Sequence, residues 1–229
     1  MSIKQNLLDI RARIVRAAAN SGRRIEDIKL VAVSKTVAIE GLAEAYAENQ
    51  KVFGENRVQE WQDKYEHLAA DCEWHIIGSL QTNKVKYLNS RIVLIHSLDR
   101  LPLLEKLNSE GEKKGGVWNA LVQVNVARDE AKAGLEVNEV RDFIENAVAF
   151  PKVKIKGLMT IGALNATAGE TRDCFHQLRE LRNSLQTVKY PEKIQELSMG
   201  MSDDFETAIE EGATIVRIGS RIFGHRSEK

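Results

Sequence analysis

Residues 28–56 read IKLVAVSKTVAIEGLAEAYAENQKVFGEN. An apolar, β-branched run (Leu30–Val33) gives way to a stretch with helical spacing (Ile39–Asn49), and a second short apolar run (Lys51–Gly54) follows. A strand buried on both faces reads as a continuous apolar run, without the alternation of a half-exposed strand. Strand, helix and strand in that order predict two parallel strands joined by a helical crossover.

The same rhythm continues through the chain. Further strand candidates are Trp74–Gly78, Ile92–Ser97, Ala120–Val126, Ile155–Ile161, Ile194–Met199 and Ile215–Gly219. Between them, helical spacing recurs at Val58–Leu68, Leu101–Asn108, Val137–Val148, Cys174–Val188 and Phe205–Glu211. Eight strands in one domain-sized chain predict a closed (β/α)8 TIM-type barrel, with an extra helix (Ile3–Ala19) ahead of the first strand. The alternative is an open doubly wound sheet, which carries a glycine-rich turn after its first strand. Here that position holds Ser34-Lys35-Thr36. Residues 1–229 are expected to form a single domain, with 111–116 (GEKKGG) and 165–169 as polar loops.

Thirty-three basic and thirty-three acidic residues balance to zero formal charge. No polybasic run points to nucleic acid or to an acidic membrane face, so a small ligand fits better. No apolar run approaches the roughly 20 residues that span a bilayer. Asp9 and the stop signal at Gly22 mark the amphipathic N-terminal stretch as a folded helix, not a targeting segment. The two cysteines, Cys72 and Cys174, lie in polar, helix-like surroundings outside any CxxC pair and are expected to be free thiols. These features predict a cytoplasmic protein.

Barrels of this kind carry their chemistry at the C-terminal strand ends. After the first strand comes Lys35, which would point toward the barrel mouth and be partly desolvated. Desolvation favours the neutral, nucleophilic amine that imine formation with an aldehyde requires. The competing reading is a lysine that packs its stem and keeps its charge in water. After the second strand, Asn56 either bonds a ligand or simply makes a turn beside Gly54. His75 reads as a satisfied core histidine and Met159 as packing. The remaining histidines lack metal-ligand spacing, so no metal is expected. After the seventh and eighth strands, Ser198, Gly219 and Ser220 match the place where barrels bind phosphate at a short helix. Asp203 and Asp204 would repel an anion and read as a helix cap. Arg217 stands inside an apolar run and needs a partner, either a barrel carboxylate or a ligand ring nitrogen. An amine, a phosphate cradle and an arginine near a ring suggest pyridoxal phosphate, although a Schiff-base aldolase remains compatible.

The segments VAVSKT (31–36), FGENRVQE (53–60), WHIIGSLQTNK (74–84), KGLMTI (156–161), LSMGMSDD (197–204) and VRIGSRIFG (216–224) together resemble the YggS/PROSC family of pyridoxal phosphate homeostasis proteins. The resemblance runs from the N-terminal helix to the last strand. It implies a fold like the barrel domain of alanine racemase and an internal aldimine between pyridoxal 5′-phosphate and Lys35. It also implies phosphate contacts from Ser198, Gly219 and Ser220, with Arg217 facing the pyridine nitrogen and Asn56 near the cofactor. Ser220 stands where many relatives have threonine, which keeps the hydroxyl. The stretch 127–134 is less typical but retains Lys132 and Gly134. The role of Lys132 stays open.

Related racemases follow the barrel with a β-rich domain that supplies a tyrosine base from a partner subunit. Here five residues follow Gly224, and the four tyrosines avoid the strand ends. Two-base racemisation needs a base on each face of the substrate carbon. An arginine at the ring nitrogen would also weaken the cofactor as an electron sink. The expected function is therefore pyridoxal phosphate sequestration and vitamin B6 and amino-acid homeostasis by a monomer that is not an enzyme. Delivery to apo-enzymes and binding of other B6 vitamers are further implications. A cofactor-dependent enzyme with weak racemase or transaminase activity, and a cofactor-independent Schiff-base lyase, are the alternatives.

Overall fold

The computed structural model describes residues 2–127, 133–162 and 166–224. Eight parallel strands close into a barrel in sequence order: β1 (Lys29–Val33), β2 (Val52–Glu55), β3 (Glu73–Ile76), β4 (Ile92–Leu98), β5 (Trp118–Gln123), β6 (Val153–Met159), β7 (Glu196–Ser198) and β8 (Ile215–Ile218). Closure comes from β1 pairing with β8, with Val31 opposite Arg217 and Ala32 opposite Ile218. The predicted fold class is thus the observed one. The doubly wound alternative falls because both would-be edge strands are paired.

The helices around the barrel are α1 (Ile3–Asn20), α2 (Ile39–Ala47), α3 (Val58–Tyr65), α4 (Leu101–Lys114), α5 (Val140–Asn146), α6 (Ala168–Ser184), α7 (Phe205–Glu210) and α8 (Ser220–Phe223). Between β3 and β4 the connection is a 3-10 turn, Thr82–Tyr87. The last helix has four residues, and α1 packs against α2, α7 and α8. Ser2 caps α1 by accepting from the Gln5 N–H. Arg13 of α1 makes a bidentate pair with Glu206 of α7 at 2.7 and 3.1 Å.

Several expected boundaries move. The third strand stops at Ile76, short of Gly78, where the chain passes so close to Asn56 that a Cβ on Gly78 would meet the Asn56 oxygen at 2.5 Å. The GEKKGG stretch is not all loop. Its first four residues are the last turn of α4, and Gly115 at φ +67° ends the helix. Likewise 168–169 are helical, because Thr167 and Glu170 form a reciprocal capping box that starts α6 before Cys174. Asn165 lies outside the described residues. Neither cysteine forms a disulfide among the described residues, as expected, and both are buried.

Apolar residues form two groups. The larger lies between barrel and helices, with Trp61, Trp74, Phe53, Phe175 and Phe205 fully buried. The smaller fills the barrel interior with Val31, Leu94, Leu121, Met159 and Ile215, so Met159 is packing. The interior also holds a polar group, His75, His96, Ser198 and Arg217, all buried. Bulky inward side chains make the barrel a packed core, not a pore.

One glycine is indispensable to closure. Gly157 of β6 lies opposite Glu196 of β7. A Cβ there would sit 2.0 Å from the Glu196 carbonyl oxygen and 2.6 Å from its carbon, both backbone atoms that cannot rotate away. Gly157→Ala is therefore expected to destabilise the fold by about 3 kcal/mol. A urea titration followed by circular dichroism measures this as a lower midpoint at unchanged slope. An unshifted midpoint would mean that β6 and β7 can separate without cost.

Candidate functional site

Three adjacent strands, β8, β1 and β2, deliver most of the expected site residues to one end of the barrel. Lys35 follows β1 in an exposed turn, Asn56 follows β2 half-buried, and Gly219 and Ser220 follow β8. The register explains the grouping, since Val33 lies opposite Gly54 and Ala32 opposite Ile218. Lys35 departs from expectation in one respect. It is exposed and not desolvated, because the strand ends at Val33 and the lysine stands on the turn beyond.

That turn is held from below. Thr36 adopts φ +60°, a left-handed conformation unusual for a β-branched residue. Such a residue costs about 1–3 kcal/mol and persists only where its surroundings enforce it. The Thr36 N–H donates to Glu60 Oε1 on α3. On the other side of Lys35, the Ser34 carbonyl accepts from Lys64 Nζ at 2.8 Å. Lys64 also reaches Glu55 Oε1 at 2.9 Å and Glu60 Oε1 at 2.8 Å. The Ser34 hydroxyl donates to the same Glu55 oxygen at 2.7 Å. Glu55 is fully buried, and its second oxygen has no partner among the described residues. Burial pushes the Glu55 carboxyl up to about 7, and the Lys64 charge offsets only part of that push.

Arg217 lies inside the barrel, 5% exposed. Its guanidinium donates to Ser198 Oγ at 2.5 Å and to the Thr160 carbonyl at 2.9 Å. Neither partner is a carboxylate, and among the described residues Arg217 makes no ion pair within 4.0 Å. Burial lowers its pKa to about 10, with Asp204 acting in the opposite direction, so the group stays charged at neutral pH. A buried cation held by neutral acceptors is costly to maintain.

Ser198 is fully buried and engaged from two sides. Arginine only donates, so the Ser198 oxygen accepts from Arg217. Its other contact is His96 Nδ1 at 2.8 Å. His96 Nε2 lies 2.9 Å from His75 Nδ1. Burial drives the His75 pKa down to about 3 and that of His96 well below its ordinary value, so both rings are neutral. His75 is a core histidine as expected, but its Nε2 has no partner among the described residues.

The turns after β7 and β8 meet through Ser202 and Ser220, whose hydroxyl oxygens lie 3.0 Å apart. Gly200, at φ +89°, lets the chain fold back over α7, where a Cβ would meet Ala208 Cβ at 2.5 Å. Arg221 Nε donates to the Ser202 carbonyl at 2.5 Å and tightens the same turn. Asp204 occupies the cap position of α7, but its carboxylate does not cap the helix. It accepts from the Met201 N–H at 2.5 Å, while Asp203 pairs with Arg221 at 3.1 Å. Ser202 escapes notice in the sequence because it stands between a methionine and two aspartates. Lys132 lies outside the described residues. A polar cleft of about 260 Å³ opens between the turns after β2 and β3, lined in part by Asn56, Arg57, Ser79, Gln81 and Lys84.

The donor set suits a phosphorylated aldehyde. It offers an exposed primary amine, hydroxyls beside a glycine at a helix start, and a buried cation with no carboxylate. Among the described residues no cluster of three metal-ligating side chains occurs.

Comparison with known proteins agrees. The sequence model for "Alanine racemase, N-terminal domain" matches residues 5–227. The pyridoxal phosphate homeostasis protein of Aquifex aeolicus (strain VF5) is 47% identical over 227 residues, covering 99% of each chain. The solved structure of PipY from Synechococcus elongatus PCC7942 with PLP bound superposes with a TM-score of 0.85 at 34% identity, covering 97% of this chain and 100% of that one. An unknown protein from Bifidobacterium adolescentis superposes at 0.91 with 31% identity, covering 96% and 94%.

Proposed function

Because this chain belongs to the family of pyridoxal phosphate homeostasis proteins, we propose that it binds pyridoxal 5′-phosphate covalently, as an imine on Lys35. Residues 1–229 act in this reading as one cofactor-binding barrel. The observation that carries it is Arg217, a buried guanidinium with only neutral acceptors, on the strand next to the one that presents Lys35. A ring nitrogen that accepts from it gives that buried charge a purpose. Bound pyridoxal phosphate supplies an aldehyde, which condenses with a primary amine and loses water.

The chain's own residues then divide the work. Lys35 supplies the amine. Gly219 and Ser220 take the phosphate, joined by Ser202 through its contact with Ser220. Ser198 serves mainly by holding Arg217, since its hydroxyl is engaged inside the barrel. Arg217 keeps its proton and so leaves a facing ring nitrogen unprotonated. Asn56, at the neighbouring strand end, flanks the cofactor.

A sequestering role in vitamin B6 and amino-acid homeostasis follows more readily than catalysis. The tyrosines occupy segments that lead into strands, away from the mouth. Tyr46 bonds Asp71, Tyr65 bonds Glu66, and Tyr190 bonds the backbone of β6. None of these three is placed to act as a second base opposite Lys35. No helix among the described residues is long and apolar enough to cross a membrane. We place the protein in the cytoplasm as a monomer that exchanges the cofactor with apo-enzymes.

Titration of purified protein with pyridoxal phosphate, followed by its visible absorption, tests the proposal. A saturable band at a single equivalent is expected. If no band forms while a sugar phosphate is trapped on reduction, the lyase reading replaces it. Deuterium exchange at the α-carbon of added amino acids would support the racemase-type reading.

A further inference from the structure

We propose that Lys64 is the positioning residue for Lys35: with Glu55 and Glu60 it clamps the peptide groups on both sides of that lysine and so fixes where its amine stands. The inference rests on the proposed covalent site. Lys35 occupies an exposed turn, and its own side chain does nothing to fix that turn's backbone. The turn closes on itself through the Val37 N–H, which donates to the Ser34 carbonyl at 3.0 Å, and its attachment to the rest of the barrel comes from α3 and the end of β2. The carbonyl of Ser34, immediately before Lys35, accepts from Lys64 Nζ at 2.8 Å. The amide of Thr36, immediately after Lys35, donates to Glu60 Oε1. Lys64 bonds that same Glu60 oxygen at 2.8 Å, so a single ammonium ties both ends of the turn together.

Helix geometry makes this possible. Glu60 and Lys64 are four residues apart, which puts them on one face of α3, and that face looks onto the C-terminal end of β1. Glu55, the last residue of β2, anchors the lysine from the third side at 2.9 Å. The Lys64 side chain is 8% exposed and that of Glu55 0%, so this is no solvated surface pair. A buried ammonium needs several good acceptors, and Lys64 has three: a carbonyl and two carboxylate oxygens. The strained φ of Thr36 is held in place between these anchors. Without Lys64, Glu60 loses its counter-charge and the Ser34 carbonyl keeps only the Val37 N–H at 3.0 Å, the bond that closes the turn from within, so the turn loses its ties to α3 and β2. The amine of Lys35 would then sample positions away from the mouth.

Three variants test this: Lys64→Met, Lys64→Arg and Glu60→Ala. For each, stopped-flow absorption gives the rate at which the visible band forms with pyridoxal phosphate. Peptide mapping after borohydride gives the labelled lysine, and hydrogen exchange gives the protection of the Thr36 amide in the protein alone. Circular dichroism selects variants that fold. Lys64→Met is expected to slow band formation by about tenfold to a hundredfold, the usual penalty for a misplaced reactive group. It should also deprotect the Thr36 amide. Lys64→Arg should recover most of the rate, and Glu60→Ala should fall between. Should Lys64→Met not fold, Glu60→Ala decides alone, since its side chain is partly exposed. A folded Lys64→Met or Glu60→Ala variant with wild-type rate and wild-type Thr36 protection would overturn the inference. If wild type is not labelled at Lys35 at all, the proposed covalent site fails. Thr36 protection still decides whether Lys64 holds the turn.

Discussion

Lys35→Ala is expected to abolish the visible band and weaken retention of pyridoxal phosphate by at least about a hundredfold, roughly 2.7 kcal/mol. The loss is large because the proposed covalent bond is removed, whereas the proposed phosphate and ring contacts remain. Those contacts come from other strands. Gly219 and Ser220 follow β8, Ser202 follows β7, and the Arg217 side chain is held by Ser198 and Thr160. The variant should therefore keep weak, non-covalent affinity. Its stability should barely change, since Lys35 is exposed and exposed substitutions away from special features stay within about 0.5 kcal/mol. Equilibrium dialysis gives the affinity and thermal melting gives the stability. Equal retention by variant and wild type would mean that the amine is used elsewhere.

Arg217→Met is expected to change stability and binding in opposite directions. In the protein alone, burial of the guanidinium without a carboxylate is a cost, reflected in a pKa lowered to about 10. For a base with a depressed folded-state pKa, that cost is fully present at neutral pH. It fades as pH rises from about 10 toward the ordinary value of 12.5. Methionine fills the space without the charge. Ser198 keeps its contact with His96, although the Thr160 carbonyl loses a donor. The net expectation at neutral pH is a gain of about 1 kcal/mol. Binding of pyridoxal phosphate should fall by about tenfold to a hundredfold, the value of a hydrogen bond from a charged donor. Melting curves with and without cofactor give both quantities, because a bound ligand raises the midpoint by mass action. A variant that melts lower and binds as well as wild type would assign Arg217 a purely structural role.

The barrel was legible because its evidence is distributed. Each strand carries its own apolar run, and each crossover its own helical spacing, so shifting one boundary leaves the order intact. The boundaries moved where contacts outside the apolar pattern decide them. The capping box of Thr167 and Glu170, for example, starts a helix that apolar spacing alone begins later. Within the proposed site, the positions of residues that follow strands directly were legible, as with Lys35, Asn56, Gly219 and Ser220.

It was illegible where a polar side chain acts across the fold. Lys64 looks like the solvated face of an amphipathic helix, and only folding brings it under the β1 turn. The available signal was Glu55 at the end of an apolar strand, since a carboxylate buried there needs a cation, and Lys64 lies one helix away. His96 was likewise unremarked inside its strand. Its role appears only when β4 and β7 bring it to Ser198 across the barrel.

The central claim is the identity of the amine. Wild-type protein is saturated with pyridoxal phosphate, reduced with borohydride, digested and mapped by mass spectrometry. A single reduced phosphopyridoxyl group on Lys35, absent from the same map of Lys35→Ala, is the predicted result. A group spread over several lysines, or confined to one other than Lys35, would contradict it.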